Sequence, residues 1–305
     1  MEEYLEAFQI YLKSTNSSSE NTLDSYSHDV GRFLAFLKEE GIEDVREVNR
    51  LVIANYLRKL RSGDKENKPL SNSSIARNLS ALRTFYRFLI ENYGIETNPF
   101  EKVATVKQNR KLPEFLFYEE MEQFLSSVDV KEKFGYRNRA IFELMYACGL
   151  RVSEAVNLKI DNVDFDENIL RVIGKGDKER LVPFYPLCSE YLKEYIQKER
   201  REIAEAGCEY LFVNKYGKQM TPRAIQQLME KQALKAGLSI HVHPHMFRHS
   251  FATLLLEEDV DIRYIQQMLG HSSITTTQIY THTSINKQRA ILATKHPRNK
   301  FEISI

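Results

Sequence analysis

Residues 162–183 crowd strand formers into one short stretch. Val163, Phe165, Ile169, Leu170, Val172, Leu181 and Val182 are interrupted by Asp166-Glu167-Asn168 and again by Gly174-Lys175-Gly176-Asp177. Two turn signals so close together leave room only for short strands joined by tight turns, hence a small antiparallel sheet. Elsewhere the apolar residues recur at helical spacing. Leu5, Phe8, Ile10, Tyr11 and Leu12 predict a short first helix, and Leu23, Tyr26, Val30, Phe33, Leu34 and Leu37 a second. A third is expected over 48–60. A fourth carries Ile75, Leu79, Leu82, Phe85, Tyr86 and Leu89, with Ser71, Ser73 or Ser74 as its cap. Further helices are expected over 118–128 and 136–148 before the sheet. After it they are expected over 189–204, 222–236, 244–257, 262–269 and 286–293. The fold class is therefore mainly α, with a helical block over 1–103, a linker over 104–114 and an α+β block over 115–305.

The formal net charge of +1 averages over unlike segments. Residues 51–90 hold eight cations against two acids, and the first fifty residues are correspondingly acidic. A local basic patch, more than bulk charge, is what phosphate binding requires. On the fourth helix Arg77, Arg83 and Arg87 fall off the apolar stripe, so that face is a candidate for a DNA backbone. The linker adds Lys107, Arg110 and Lys111. No apolar run reaches the roughly 18 residues of a membrane span. The acidic start and three cysteines without CxxC spacing fit a cytoplasmic protein with reduced thiols.

The chemistry is concentrated further on. The chain reads His245-Met246-Phe247-Arg248-His249, then Leu269-Gly270-His271, then Tyr280-Thr281-His282. Upstream stand Arg151, after Gly149-Leu150, and Lys175, in the second turn of the sheet. An arginine can hold two phosphate oxygens at once. Arg151 at a helix start would add the free backbone amides there. Arg248 follows His245 by three residues, which puts both on one helix face. Two arginines on one phosphate would stabilise a pentacoordinate transition state. Tyr280 is the candidate nucleophile, and its phenol needs a cationic pocket or a base before it attacks. His245 and His271 are candidates to move that proton. Lys175 is the candidate acid for a leaving 5′-oxygen, with Lys178 and Arg180 as fallbacks. Glu154, one turn beyond Arg151, could orient an arginine or histidine. Taken singly, each of these residues has a bland reading as an ion pair, a packing group or a solvated side chain.

Taken together, these motifs resemble the catalytic boxes of the tyrosine recombinases. The stretches are His245 to Thr253, Leu269-Gly270-His271-Ser272, Tyr280-Thr281-His282, Gly149-Leu150-Arg151-Val152-Ser153-Glu154, and Gly174-Lys175-Gly176-Asp177-Lys178-Glu179-Arg180. The likeness is greatest to the Xer branch, which resolves chromosome dimers, and it covers nearly the whole chain. Phe247 and Ala155 stand where leucine is common and read as core substitutions. The resemblance implies a helical, SAM-like core-binding domain and a catalytic domain that clamp double-stranded DNA. It implies the set Arg151, Lys175, His245, Arg248, His271 and Tyr280, and a 3′-phosphotyrosine intermediate that conserves the phosphodiester energy. No metal, ATP or other cofactor is then required. It also implies a tetramer on two DNA sites, homomeric or with a related recombinase. In that tetramer the stretch from Ile285 to the chain end, with Ile291 and Leu292, would dock on a neighbouring subunit. A septal DNA translocase is a further partner of such enzymes.

Three other readings stay open at this stage. One is a mobile-element integrase with the same chemistry, against which the short length and the lack of an extra arm-binding domain weigh. A second is a DNA-binding protein without catalysis. The last is a metalloenzyme, suggested by His241, His243, His245 and His249 but lacking HExxH, a nearby carboxylate and zinc-type cysteine spacing.

Overall fold

The computed structural model describes residues 1–15, 20–63, 68–104, 115–174, 178–270 and 282–300. The chain divides into two compact units, Met1–Arg110 and Lys111–Ile305. The expected linker lies almost wholly outside the described residues, and Lys107, Arg110 and Lys111 with it.

The first unit is helical: α1 (Glu2–Ser14), α2 (Glu20–Glu39), α3 (Arg50–Ser62) and α4 (Asn72–Tyr93). Local chemistry sets the helix starts. The Asn49 side chain accepts from the amides of Leu51 and Val52, and Ser71 Oγ accepts from the Ser74 amide. The core is built from interlocked rings. Phe33 meets Tyr56 at 5.0 Å and Phe100 at 5.2 Å between ring centres, and Phe8 meets Phe85 at 5.2 Å, all edge to face. The buried hydroxyls are satisfied, Tyr56 donating to Asn78 and Tyr86 to the Val45 carbonyl. Ile10, expected among the anchors of α1, is 69 % exposed. Phe8 and Leu12 are buried, and Leu5 and Tyr11 pack partly buried beside them.

The second unit is built around α6 (Gly135–Ala147), which follows α5 (Tyr118–Ser126). Ile141, Phe142, Leu144, Met145, Tyr146 and Ala147 are all buried. A helix buried on every face belongs inside, and α6 takes the charged Arg137, Arg139 and Glu143 in with its apolar residues. Phe247 packs edge to face on Phe124 at 5.1 Å, and Ala155 is fully buried, so both departures from leucine are core residues. After α7 (Val152–Asn157) comes the sheet: β1 (Val163–Asp164), β2 (Ile169–Ile173) and β3 (Glu179–Pro183), antiparallel in the order β1-β2-β3. The register pairs Leu170 with Val182 and Val172 with Arg180. These four residues share the buried face, and one of them is an arginine.

Downstream, α8 (Pro186–Tyr195) runs through a π-helical stretch, Ile196–Arg200, into α9 (Arg201–Ile203). One continuous helix was expected there. Next come α10 (Pro222–Lys235), α11 (Pro244–Glu257) and α12 (Ile262–Leu269). The chain continues with α13 (His282–Lys295) and a 3-10 turn, Pro297–Lys300. Leu292 is buried in the core of its own unit, and Arg298 donates to the buried Glu143 of α6 at 3.0 Å. In the single chain the segment expected to dock on a neighbour fills apolar and ionic sites of its own unit. Residues 301–305 lie outside the described residues.

Candidate active site around Glu154

Gly149 turns the chain between α6 and α7 with φ +57°, and a Cβ there would stand 2.7 Å from side-chain atoms of Leu269 and Phe251. Only glycine combines that conformation with so close an approach. The turn delivers Arg151 to the start of α7, where its amide donates to Glu154 Oε2 at 2.8 Å. That single contact, the carboxylate half of a capping box, caps the helix start. It also consumes one of the backbone amides expected to be free there, while the Arg151 side chain stays open to an anion. The Arg151 guanidinium donates to Glu154 Oε1 at 2.9 Å and stays 39 % exposed.

Glu154 collects more than Arg151. The Arg180 Nη1 and Nη2 atoms donate to its two oxygens at 2.9 and 2.8 Å, a bidentate pair. Arg248 Nη1 lies 4.0 Å from Oε2. Burial pushes the Glu154 carboxyl up, but the Arg180 hydrogen bonds and charge, then Arg151, hold it below the usual carboxylate range. Arg248 is buried and donates to the carbonyls of Gly149 and Leu269, each at 2.7 Å. Burial first, and then the Arg151 charge, lower its pKa to about 10, so it remains a cation at neutral pH. Three guanidiniums face one carboxylate, which leaves two positive charges in excess beside a partly open arginine. Such a cluster is built to receive an anion.

His245 and Arg248 stand one turn apart on α11, His245 exposed and Arg248 buried. One expectation needs correcting. Arg180 is no fallback proton donor. It is buried and fully engaged by Glu154 and by the Met268 carbonyl, which its Nε reaches at 2.7 Å. Its part was missed in the sequence. The signal was there in the two-residue period of β3, which places Arg180 on the same face as Val182. Lys178 is exposed where the hairpin closes, with the Gly174 amide on its carbonyl. Lys175, His271 and Tyr280 lie outside the described residues.

The arginines of α4 divide by use. Arg77 clamps the buried Asp29 carboxylate at 2.8 and 3.2 Å, and Arg83 donates to the carbonyls of Phe100 and Val103. Both hold the first unit together, although the Arg77 side chain is still half open to solvent. Arg87 is exposed. The rings of His241, His243 and His245 follow one another at 6.1 and 6.4 Å, and His249 lies against Phe115. Among the described residues no three His, Cys, Asp or Glu side chains are grouped as metal ligands would be, and no helix is long and apolar enough to cross a membrane.

Comparison with known proteins gives the same assignment for both units. The Phage integrase family profile matches residues 114–287, and its N-terminal SAM-like domain profile matches residues 5–92. "Tyrosine recombinase XerC" of Anoxybacillus flavithermus is 37 % identical over 297 residues, covering 96 % of this chain and 97 % of the relative. The protein of that name from Lacticaseibacillus casei is 39 % identical over 283 residues, 92 % of this chain and 93 % of the relative. Among solved structures, the XerH site-specific recombinase in a pre-cleavage complex with its difH substrate aligns with TM-score 0.66 at 29 % identity, over 89 % of this chain and 78 % of that one. A lambda integrase tetramer on a Holliday junction aligns with TM-score 0.68 at 18 % identity, over 92 % of this chain and 80 % of that one, a likeness of fold. The chain belongs to the phage integrase family of tyrosine recombinases, site-specific enzymes that cut and rejoin DNA strands.

Proposed function

We propose that the Glu154 cluster holds the scissile phosphate of a DNA recombination site. Arg151 and Arg248 bind its non-bridging oxygens and oppose the charge that builds up in the transition state. Tyr280 attacks phosphorus and gives up its proton to His245 or His271. The bond to the 5′-oxygen breaks, that oxygen takes a proton from Lys175, and a 3′-phosphotyrosine forms. The released 5′-hydroxyl of a partner strand reverses the step on the other duplex. Phosphodiester count is unchanged, so the cycle needs no metal and no nucleotide. The observation that carries this reading is the excess of guanidinium over carboxylate around Glu154, with Arg151 left open to solvent.

The wider role we infer is chromosome dimer resolution in the cytoplasm, by a tetramer on two sites that answers to a septal DNA translocase. Relatives named XerC support it at full length. The N-terminal unit, through the exposed Arg87 and the open edge of Arg77, and the linker with Lys107, Arg110 and Lys111, would supply backbone contacts; Arg83 is spent on the carbonyls of Phe100 and Val103.

A nicked suicide duplex carrying the genomic site recovered by footprinting tests the chemistry. Wild type traps as a covalent protein–DNA adduct, and Tyr280→Phe gives none. No adduct from wild type on that site would sink the catalytic reading. The position of the footprint tests the role: one site near the replication terminus is expected, whereas sites at the ends of a mobile element would reassign the enzyme to integration.

A further inference from the structure

Arg180 is an expensive residue to bury. A guanidinium on the inward face of a strand loses its hydration, and an apolar side chain in a matched core would be at least as stable. Its three hydrogen bonds nevertheless connect pieces of chain far apart in sequence. Two go to Glu154, and the same two carboxylate oxygens accept from the Arg151 guanidinium and amide. The third goes to the Met268 carbonyl, next to the Leu269 carbonyl that Arg248 uses. The side chain also passes close to two glycines. A Cβ on Gly270 would lie 3.1 Å from Arg180 Cδ and 3.3 Å from Nη1, and one on Gly174 would lie 3.7 Å from Nη1. In the sequence, Gly174 immediately precedes Lys175, and Gly270 immediately precedes His271.

We propose that Arg180 is a positioning residue for strand cleavage. It sets Glu154, and through it Arg151, in register with the end of α12 and the base of the β2–β3 hairpin. The proposal rests on the recombinase reading above. Arg180 touches no substrate atom in this scheme. It acts by keeping the groups that do so in one geometry, and small misplacements of such groups are costly to rate.

The conservative variant Arg180→Lys keeps the charge but cannot span both Glu154 oxygens and Met268. On the nicked duplex its single-turnover cleavage should fall about 10- to 100-fold, while affinity for the intact duplex and melting temperature stay near wild type. In Arg180→Ala, methylguanidinium should restore part of the cleavage rate and ethylammonium should not, because only the planar fork fits the vacated site. Should Arg180→Ala fail to fold, the lysine variant decides alone. Cleavage by Arg180→Lys at the wild-type rate would overturn the proposal. So would a loss that tracks weaker DNA binding or a smaller folded fraction. A wild-type enzyme that forms no adduct is a different outcome and removes the recombinase reading itself.

Discussion

Two buried glutamates in the second unit, Glu143 on α6 and Glu154 on α7, collect arginines in opposite ways. Glu143 is sealed. Arg139 reaches it at 2.9 Å and Arg298 at 3.0 Å, both about 6 % exposed, and the Tyr185 hydroxyl donates to it as well. Burial pushes this carboxyl up, but Arg139 and Arg298 hold it low. Glu154 has the same chemistry on one side only. Arg180 is sealed beside it, while Arg151 opens to solvent. The sealed cluster ties the end of the chain to the central helix and presents nothing outward. The open cluster pays the same desolvation cost and keeps a cation facing out. Buried charge by itself therefore does not mark a site; a buried anchor with one exposed limb does.

Substitution at Glu143 should have the largest effect on stability. Glu143→Gln leaves Arg139 and Arg298 without their carboxylate, and a broken buried pair costs about 3–5 kcal/mol. Urea denaturation should show that loss while cleavage per folded molecule is kept. Equal loss of activity per folded molecule would erase the distinction between the clusters. Arg151→Ala should do the reverse. Its half-exposed pair contributes about 0–1 kcal/mol to folding, but losing a transition-state cation should slow cleavage about 100- to 1000-fold in a single-turnover assay.

Acid should also discriminate. The His296 ring is buried against Tyr146 and Tyr185 beside Glu143, and burial lowers its pKa from 6.5 to about 3. The unfolded chain takes up that proton between these values, so stability falls as pH drops below 6.5 and is flat above it. The loss between pH 7 and pH 5 is about 2 kcal/mol. It should vanish in His296→Phe, as urea midpoints at the two pH values would reveal. The two glutamates, held low, lose their contribution only below the ordinary value of 4.5. The smallest effect is a control in the first unit: Ser71→Ala removes the α4 cap at about 1 kcal/mol. Calorimetry should register it, with cleavage per folded molecule unaltered.

What was legible in the sequence followed from local codes. Proline at the first position and Asp261 as a cap set the starts of α11 and α12, which run as read. The turn signals read at 166–168 and 174–177 predict short strands, and the described residues form a sheet of three. What was misread depended on distant partners. Ile10 counts among the apolar residues of the first helix, but among the described residues it stands largely exposed. The helix expected over 286–293 begins four residues earlier and ends two later. Arg180 looked like a spare cation beside Lys175 because its partners, Glu154 and Met268, lie 26 and 88 residues away.

The sequence by itself determined the residue types, the order of the arginine, lysine, histidine and tyrosine motifs, and most of the secondary structure of the described residues. Those follow from side-chain chemistry and from periodicity over a few residues. Only the tertiary structure decided which arginines are sealed and which is open, that Arg180 joins three segments, and that Arg298 closes back on Glu143. Those outcomes depend on desolvation, and desolvation is set by neighbours that the fold brings together from far along the chain.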